Sequence, residues 1–173
     1  MIGTIHTDQS TLNFDFGTDK TDRGWTVVND GVMGGRSNGT IAYTSESMVF
    51  QGTLSLENNG GFSRIKHRTQ QPDMSGFSEV VLRVKGDGRQ YALMLQSTEA
   101  FFRPYHRAYF QTKKGKWTTI TLPLDQFKHT VMGRDTGNPT DLAYLKRVTS
   151  LGVILSDKQA GPFRLEIDHI EFR

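Results

Sequence analysis

Short strand-like segments separated by turn residues recur along nearly the whole chain, and this pattern constrains the fold more than any other feature. β-Branched and aromatic residues alternate with polar ones within the segments, and Gly, Asn, Asp and Pro fill the gaps. Such spacing is typical of an antiparallel jelly-roll β-sandwich and not of a parallel α/β sheet. The predicted strands are Leu12 to Phe16, Trp25 to Asn29, Thr40 to Tyr43, Met48 to Leu56, Phe62 to His67, Val80 to Lys85, Tyr91 to Gln96, Ala108 to Gln111, Trp117 to Leu122, Leu151 to Leu155 and Phe163 to Phe172.

Helical periodicity is nearly absent from the sequence. The exceptions are a turn at Leu124 to Phe127 and a short apolar-spaced piece over Leu142, Leu145 and Val148. We expect His129 to Thr140, which contains two glycines and a proline, to form a surface loop. No linker-like run divides the chain, so residues 1–173 are predicted to form a single domain.

Composition and spacing exclude several kinds of chemistry. The chain has no cysteine, which excludes disulfides, thiolate nucleophiles and every metal site built on Cys. Gly86-Asp87-Gly88 begins a dinucleotide-binding pattern, but we interpret it as a hairpin turn. The five histidines lack the spacing of metal ligands, so we predict no metal and no cofactor. Four acids that could offer oxygen ligands to calcium are interpreted as solvated surface residues: Asp15, Asp19, Asp22 and Asp168.

The charge balance does not indicate a nucleic-acid surface. The 21 Lys and Arg residues against 18 Asp and Glu give a formal net charge of only +3. Aromatic and basic residues mix over Phe101 to Phe110 and at Lys113 to Trp117, a pattern that can stack nucleobases. Ordinary strands with inward rings and outward cations explain the same mixture, so nucleic acid is not an expected partner. No signal peptide or apolar run of membrane-spanning length is present, and we expect a cytoplasmic protein.

The last strand carries an acidic pattern that resembles one used by enzymes. Glu166, Asp168 and Glu171 form Glu-x-Asp-x-x-Glu, similar to the paired carboxylates of jelly-roll retaining glycosidases. The apolar alternation slips once, which predicts a β-bulge near Asp168 and places both glutamates opposite the core. A terminal strand with one charged face explains the pattern more simply. We therefore predict that the chain is not an enzyme, with a glycoside hydrolase as the alternative.

Two glycine-rich motifs, Asn29 to Ser37 and Asn58 to Arg64, are the strongest candidates for a binding site. Their glycines would let the two loops approach each other and leave the neighbouring side chains to contact a ligand. The hydrogen-bonding side chains are Asn29, Asp30, Arg36, Asn59 and Arg64, and the apolar anchors are Met33 and Phe62. An intramolecular role explains the same residues equally well. In that case Asn and Asp cap turns, Arg64 pairs with Asp30, and Met33 and Phe62 close one end of the core.

These motifs resemble the two hallmark blocks of the complex I intermediate-associated protein 30 family, and later blocks follow in the same order. The matching segments are Trp25 to Ser37, Phe50 to Arg64, Trp117 to Phe127, Gly133-Arg134, Leu151 to Lys158 and Gly161 to Ile167. The resemblance implies a galactose-binding-like jelly roll with no established enzymatic activity. It also implies a role in assembly of the respiratory NADH:ubiquinone oxidoreductase. The chain starts within a few residues of the domain and has no Arg-rich transit segment, so we expect a free-standing bacterial version.

We therefore predict a non-enzymatic module that binds a protein partner, such as a respiratory-complex subunit or an assembly intermediate. The alternative is a carbohydrate ligand, with Tyr105, Tyr109 or Trp117 as stacking platforms and Arg103, Asp157 or Glu166 as polar contacts. The complete set of predicted binding residues is Asn29, Asp30, Met33, Arg36, Asn59, Phe62, Arg64, Arg103, Arg134 and Asp157.

Overall fold

The computed structural model describes residues 11–17, 24–100, 103–137 and 141–173. Its strands are β1 Leu12–Asp15, β2 Trp25–Asn29, β3 Asn38–Tyr43, β4 Met48–Leu54, β5 Ser63–Arg68, β6 Glu79–Lys85, β7 Gln90–Gln96, β8 Tyr105–Gln111, β9 Trp117–Pro123, β10 Lys128–Val131, β11 Arg134–Asp135, β12 Ser150–Leu155 and β13 Gly161–Phe172. Short 3-10 helices occupy Asp30–Met33, Glu57–Asn59, Leu124–Gln126 and Leu142–Arg147. Within these described ranges no helix has the length and apolar character needed to cross a membrane.

The strands form two antiparallel sheets that pack face to face. The six-stranded sheet has the order β3-β4-β13-β6-β9, with β1 paired to the C-terminal half of β13. The seven-stranded sheet has the order β11-β10-β8-β7-β12-β5-β2. This architecture confirms the predicted all-β sandwich, and the last two 3-10 helices lie where the sequence predicted short helical pieces.

The core fills the space between the sheets. Large apolar side chains from both sheets have no exposed surface there, among them Phe50, Ile65, Leu82, Leu93 and Phe172. Burying one such side chain contributes about 1.5–3 kcal/mol, so this interface supplies most of the driving force for folding.

Strand β13 lies in the middle of the six-stranded sheet, between β4 and β6. Its pairing with β6 changes register between Ile167 and His169, which confirms the bulge predicted near Asp168. The bulge places Glu166 and Glu171 outside the core, because the apolar residues on both sides of it remain buried.

Two predicted loops differ from the structure. The segment expected to be a surface loop contains β10 and β11, joined by a two-residue turn at Met132-Gly133. Both turn residues have positive φ, 47° and 79°, as a type I′ hairpin turn requires. The turn at Gly86–Gly88 is not a hairpin, because it joins β6 in one sheet to β7 in the other. The end of the expected loop, 138–140, lies outside the described residues.

A second apolar cluster lies on the outer face of the seven-stranded sheet, away from the core. It consists of Ala92, Met94, Tyr105 and Ile154, with Phe62 packed against it. Strand β12 is therefore buried on both faces, although an antiparallel sandwich usually exposes one face to water. A covered outer face indicates that the surrounding loops rise above this part of the sheet.

Candidate functional site

The outer face of the seven-stranded sheet carries a groove of about 510 Å³. A row of residues crosses its floor on four adjacent strands. Their order along the row is Arg64 on β5, Ile154 on β12, Ala92 on β7 and Tyr109 on β8. The β2–β3 and β4–β5 loops form one wall, and the β10–β11 turn forms the opposite wall. The lining residues are Met33, Leu56, Asn59, Gly60, Gly61, Phe62, Arg64, Met94, Tyr105, Arg107, Tyr109, Met132, Gly133, Arg134, Ile154, Ser156 and Lys158.

Asp30 holds the two glycine-rich loops together. Its side chain is fully buried and accepts hydrogen bonds from the Ser37 backbone N (2.9 Å), the Ser37 Oγ (2.6 Å), the Gly61 N (2.6 Å) and the Phe62 N (3.3 Å). A Cβ at Gly60 would lie 2.6 Å from Asp30 Oδ2, so glycine is needed there to let the second loop approach. The structure therefore shows two loops that are joined through one carboxylate.

The pKa of Asp30 reflects this environment. Burial raises the pKa of the carboxyl, but the hydrogen bonds from Ser37, Gly61 and Phe62 outweigh burial and lower the pKa below its ordinary value. Asn29 plays a similar bridging role beside it. Its Oδ1 accepts from Gly39 N at 2.9 Å and from Ser63 Oγ at 2.6 Å. Asn29 and Asp30 thus shape the wall of the groove from inside the protein.

The rims of the groove expose apolar side chains. Met33 is 46% exposed, Leu56 45% and Met132 68%. Met132 occupies a left-handed backbone conformation that costs a side chain with a Cβ about 1 kcal/mol. The β10–β11 turn requires this conformation, and it directs the Met132 side chain into the rim of the groove, where most of its surface is exposed.

Two arginines from the floor have different surroundings. Arg107 is buried and bonds Asp135 Oδ1 through Nε (3.1 Å) and Nη2 (3.0 Å), and its guanidinium lies 4.6 Å from the ring centre of Tyr109. Arg64 is only 9% exposed, and its one side-chain hydrogen bond to the described residues goes from Nη1 to Gln96 Oε1 at 3.4 Å. Its Nε has no acceptor within the described part of the chain, and burial lowers the pKa of the guanidinium. The groove therefore contains one neutralised and one uncompensated guanidinium.

The structure brings half of the predicted binding residues into the groove. Those that line it are Met33, Asn59, Phe62, Arg64 and Arg134. The intramolecular alternative, in which Arg64 pairs with Asp30, is wrong on this point, because Arg64 points to the outer face of β5 while Ser37, Gly61 and Phe62 donate to Asp30. Met33 and Phe62 do not close an end of the core either, since they border the outer groove.

The other predicted residues do not line the groove; Asn29 and Asp30 lie behind its wall. Arg36 forms an exposed ion pair with Glu57 at 3.0 Å. Asp157 is bonded by Arg89 through Nε (2.9 Å) and Nη2 (2.6 Å), so its charge is neutralised inside the protein. Arg103 borders a different cavity, together with His106, His129 and Tyr144 among others.

Sequence reasoning missed several groove residues: Met94, Arg107, Met132, Ile154 and Lys158. A signal for Met94 and Ile154 was present. Strands β7 and β12 contain uninterrupted apolar runs, and such runs in an antiparallel sheet indicate that both faces are covered. No local pattern marks Arg107 or Lys158, because their position depends on how distant strands pair.

The residues proposed for sugar hydrolysis and sugar stacking are mostly occupied elsewhere. Glu166 bonds Lys85 (3.2 Å) and Arg164 (3.0 Å), and these bonds outweigh burial and lower its pKa, whereas a general acid needs a raised pKa. Trp117 lies on the six-stranded sheet with the Arg83 guanidinium 4.8 Å from its ring centre. Asp168 pairs with Arg83, and Asp19 and Asp22 lie outside the described residues. In the parts of the chain that the structure describes, no three acidic or histidine side chains form a metal-binding group.

Comparison with solved structures supports the fold assignment. A family 11 carbohydrate-binding module from Clostridium thermocellum, solved with a β-1,3-1,4-mixed-linked tetrasaccharide, superposes with a TM-score of 0.68 over 94% of each chain, at 14% identity. An agarase, AgWH50C, matches 95% of this chain with 24% of its own length, at a TM-score of 0.62 and 11% identity. Likeness at such low identity concerns the fold alone, and it confirms the galactose-binding-like jelly roll.

Comparison with curated proteins gives closer matches. A mouse protein named complex I intermediate-associated protein 30, mitochondrial, is 32% identical over 169 residues, which cover 84% of this chain and 51% of the mouse protein. A probable counterpart from Caenorhabditis elegans is 35% identical over 130 residues, covering 68% of this chain and 35% of its own. The chain thus spans about half or less of the length of these relatives.

The names of these relatives also correct one expectation. The proteins from mouse, C. elegans and Drosophila melanogaster are named as mitochondrial, so the prediction of a cytoplasmic protein is wrong. The family model for complex I intermediate-associated protein 30 matches residues 14–167, which include both glycine-rich loops and every residue that lines the groove. The chain therefore belongs to the complex I intermediate-associated protein 30 family.

Proposed function

We propose that the chain is a non-enzymatic binding domain that holds a protein partner during assembly of respiratory complex I. Its contact surface is the groove outside the seven-stranded sheet. Family membership and the names of the curated relatives support the connection with complex I intermediates. The geometry of the groove supports the choice of surface, because it is concave, largely apolar and bordered by loops that a buried carboxylate holds in place.

The observation that carries this proposal is the apolar floor continued by exposed apolar rims. Met94 and Ile154 supply the apolar part of the floor, and the rims add Met33, Leu56 and Met132. Contiguous apolar surface of this kind marks protein contact sites on soluble domains. Three of these five side chains are methionines, whose flexible thioethers adapt to the irregular side chains of a protein segment.

A carbohydrate ligand is the second candidate. Tyr105 and Tyr109 line the groove and could face a sugar ring. Tyr105 is buried, however, and the Arg107 guanidinium lies over the ring of Tyr109. The remaining residues expected to contact a sugar lie outside the groove, and the groove therefore favours a protein segment.

The test is capture of complex I subunits from detergent-solubilised mitochondrial membranes by the immobilised domain. The variant combines Met33→Ser with Met132→Asn, which removes two exposed apolar groups without touching the core. Loss of two apolar contacts worth about 1 kcal/mol each lowers the binding free energy by about 2 kcal/mol, so captured complex I subunits should fall by about tenfold or more. Val32→Ser is the matched control, because Val32 is 68% exposed on the same 3-10 helix and does not line the groove.

Two results would contradict the proposal. Equal capture by the parent and the double variant would exclude the groove as the contact surface. Binding of mixed-linked β-glucan oligosaccharides by the parent, abolished by Tyr109→Ala, would favour the carbohydrate alternative.

A further inference from the structure

Arg64 is a buried cation on the outer face of the seven-stranded sheet. Its side chain stands on β5 at the floor of the groove, with 9% of the residue exposed. Among the described residues no carboxylate forms an ion pair with it, and Gln96 Oε1, at 3.4 Å, is its one hydrogen-bond partner. Glu99 acts on it electrostatically from farther away, but that carboxylate is already bonded by Lys66. Burying a charge that lacks a counter-ion costs several kcal/mol, so folding alone does not explain this arrangement.

The neighbouring Arg107 shows how the same sheet compensates a buried guanidinium when the need is structural. Arg107 is 4% exposed and has Asp135, Gly133 O and the Tyr109 ring as partners. Both arginines face the same groove, and both act on Tyr105 between them. The contrast indicates that the missing partner of Arg64 comes from the ligand.

The surroundings of Arg64 define what else the ligand carries. Ile154 lies beside it in the sheet register, and Phe62 and Met94 line the floor close by. Lys158 and Arg134 add positive charge at the border of the groove. A fitting ligand has one acidic group for the floor, flanked by apolar groups for the cluster and the methionine rims.

We infer that the groove binds an extended protein segment whose Asp or Glu carboxylate pairs with Arg64, while apolar residues on either side of that acid pack on Met94, Ile154 and Met132. This inference rests on the proposed function, since it specifies the chemistry of the segment that the groove would hold. A guanidinium offers a planar fork of donors that matches a carboxylate, and withdrawal of the pair from water strengthens it. The acid would thus fix the register of the segment, and the apolar residues would supply most of the affinity.

An acidic polysaccharide shares the carboxylate but fits the rest of the groove less well. Sugar rings prefer broad aromatic faces, whereas the apolar rims of this groove consist of thioether and aliphatic side chains. The exposed rims at Met33 and Met132 are apolar, and a chain of hydroxylated rings would leave them without partners.

The test begins with a random heptapeptide library displayed on phage and selected on the parent domain and on Arg64→Met. Arg64→Met keeps an unbranched apolar stem but removes the charged guanidinium, and Arg64→Lys keeps the charge without the fork. Arg164→Met is the control, because Arg164 lies on the six-stranded sheet and bonds Glu166 and Gln51. The parent and the control should enrich peptides with a single acid between apolar residues, and Arg64→Met should enrich apolar peptides without the acid.

A binding cycle then isolates the ion pair. The best enriched peptide and its Glu→Gln or Asp→Asn counterpart are titrated against the parent and the Arg64 variants. Neutralising the acid of the peptide should lower its affinity for the parent by about tenfold or more. The loss of affinity should be smaller for Arg64→Lys and absent for Arg64→Met.

Each contrary outcome has a distinct meaning. Enrichment of peptides without an acid on the parent would overturn the role of Arg64. So would an equal loss of affinity, for the parent and for Arg64→Met, when the acid of the peptide is neutralised. Either result would leave the groove as a contact surface. Failure to enrich any peptide that Met132→Asn weakens would overturn the proposed function as well. Displacement of an enriched peptide by oligogalacturonate at comparable concentration would assign the anion site to an acidic sugar.

Discussion

Replacing Asp30 by alanine removes the acceptor of four hydrogen bonds that tie the two glycine-rich loops together. The two bonds from Ser37 are buried, and each is worth about 1.5 kcal/mol because the acceptor is charged. The N–H groups of Gly61 and Phe62 are only partly buried and can recover water, so each of their bonds contributes about 0.5 kcal/mol. The expected loss of unfolding free energy is therefore about 4 kcal/mol, a large share of the 5–15 kcal/mol typical of a folded domain.

Urea unfolding followed by tryptophan fluorescence measures this loss directly, since Trp25 lies on the strand that precedes Asp30. Glu57→Gln is the control from the same loop pair. It breaks the ion pair with Arg36, whose side chains are both more than 60% exposed, and should change stability by no more than a few tenths of a kcal/mol. A loss below about 1 kcal/mol for Asp30→Ala would refute the view that this carboxylate holds the groove wall in place.

The pH dependence provides an independent check on Asp30. Because its pKa is lower in the folded protein than in the unfolded chain, the stabilisation is present above the unfolded pKa of about 3.9. It is lost as the pH falls through the lower folded value. The stability difference between the parent and Asp30→Asn should accordingly be constant at neutral pH and shrink below about pH 4.

Three further changes have defined outcomes. Met132→Asn should raise unfolding free energy by about 0.5–1 kcal/mol in urea titrations, because Asn tolerates the left-handed conformation better; a net loss would contradict this. Gly60→Ala should cost about 2 kcal/mol through its clash with Asp30, whereas Gly31→Ala, which meets no neighbour, should be neutral; equal thermal shifts would count against the argument. Burial lowers the pKa of His106 to about 4, so between pH 8 and 5 the unfolded chain takes up a proton that the folded protein resists. The free energy of unfolding should therefore fall by about 1 kcal/mol from pH 8 to 5, and His106→Gln should reduce this pH dependence.

Much of the fold could be predicted because the strands are defined by local alternation and turn residues. Strand β2 was predicted with its observed bounds, and the bulge in β13 followed from a single slip in the apolar pattern. The β10–β11 hairpin was not predicted because its turn consists of Met132-Gly133. The sequence pattern that usually indicates such a turn is Asn-Gly. The turn at Gly86–Gly88 was assigned to a hairpin because local sequence does not tell which sheet the next strand joins.

The candidate site was predicted only in part, since its residues depend on both loops and strand faces. The glycine-rich motifs correctly pointed to two loops in contact, and their residues Met33, Phe62 and Arg64 line the groove. The intramolecular alternative nevertheless gave Arg64 the wrong partner. Asp30 carries the opposite charge within the same motifs, but its carboxylate points inward and accepts hydrogen bonds from backbone donors. Arg107 and Lys158 reach the groove only through long-range strand pairing.

The position of β13 has a consequence for how the chain folds as it is made. Strands β4 and β6 both need β13 as a neighbour, yet β13 is synthesised about 75 residues after β6. At roughly 5–20 residues per second, a nascent chain spends about 4–15 seconds with two strand edges open to other chains. Unpaired edges of this kind template intermolecular pairing. Ribosome-bound chains that stop before β13 should therefore depend on chaperones, and the six-stranded sheet can close only after that strand has left the exit tunnel.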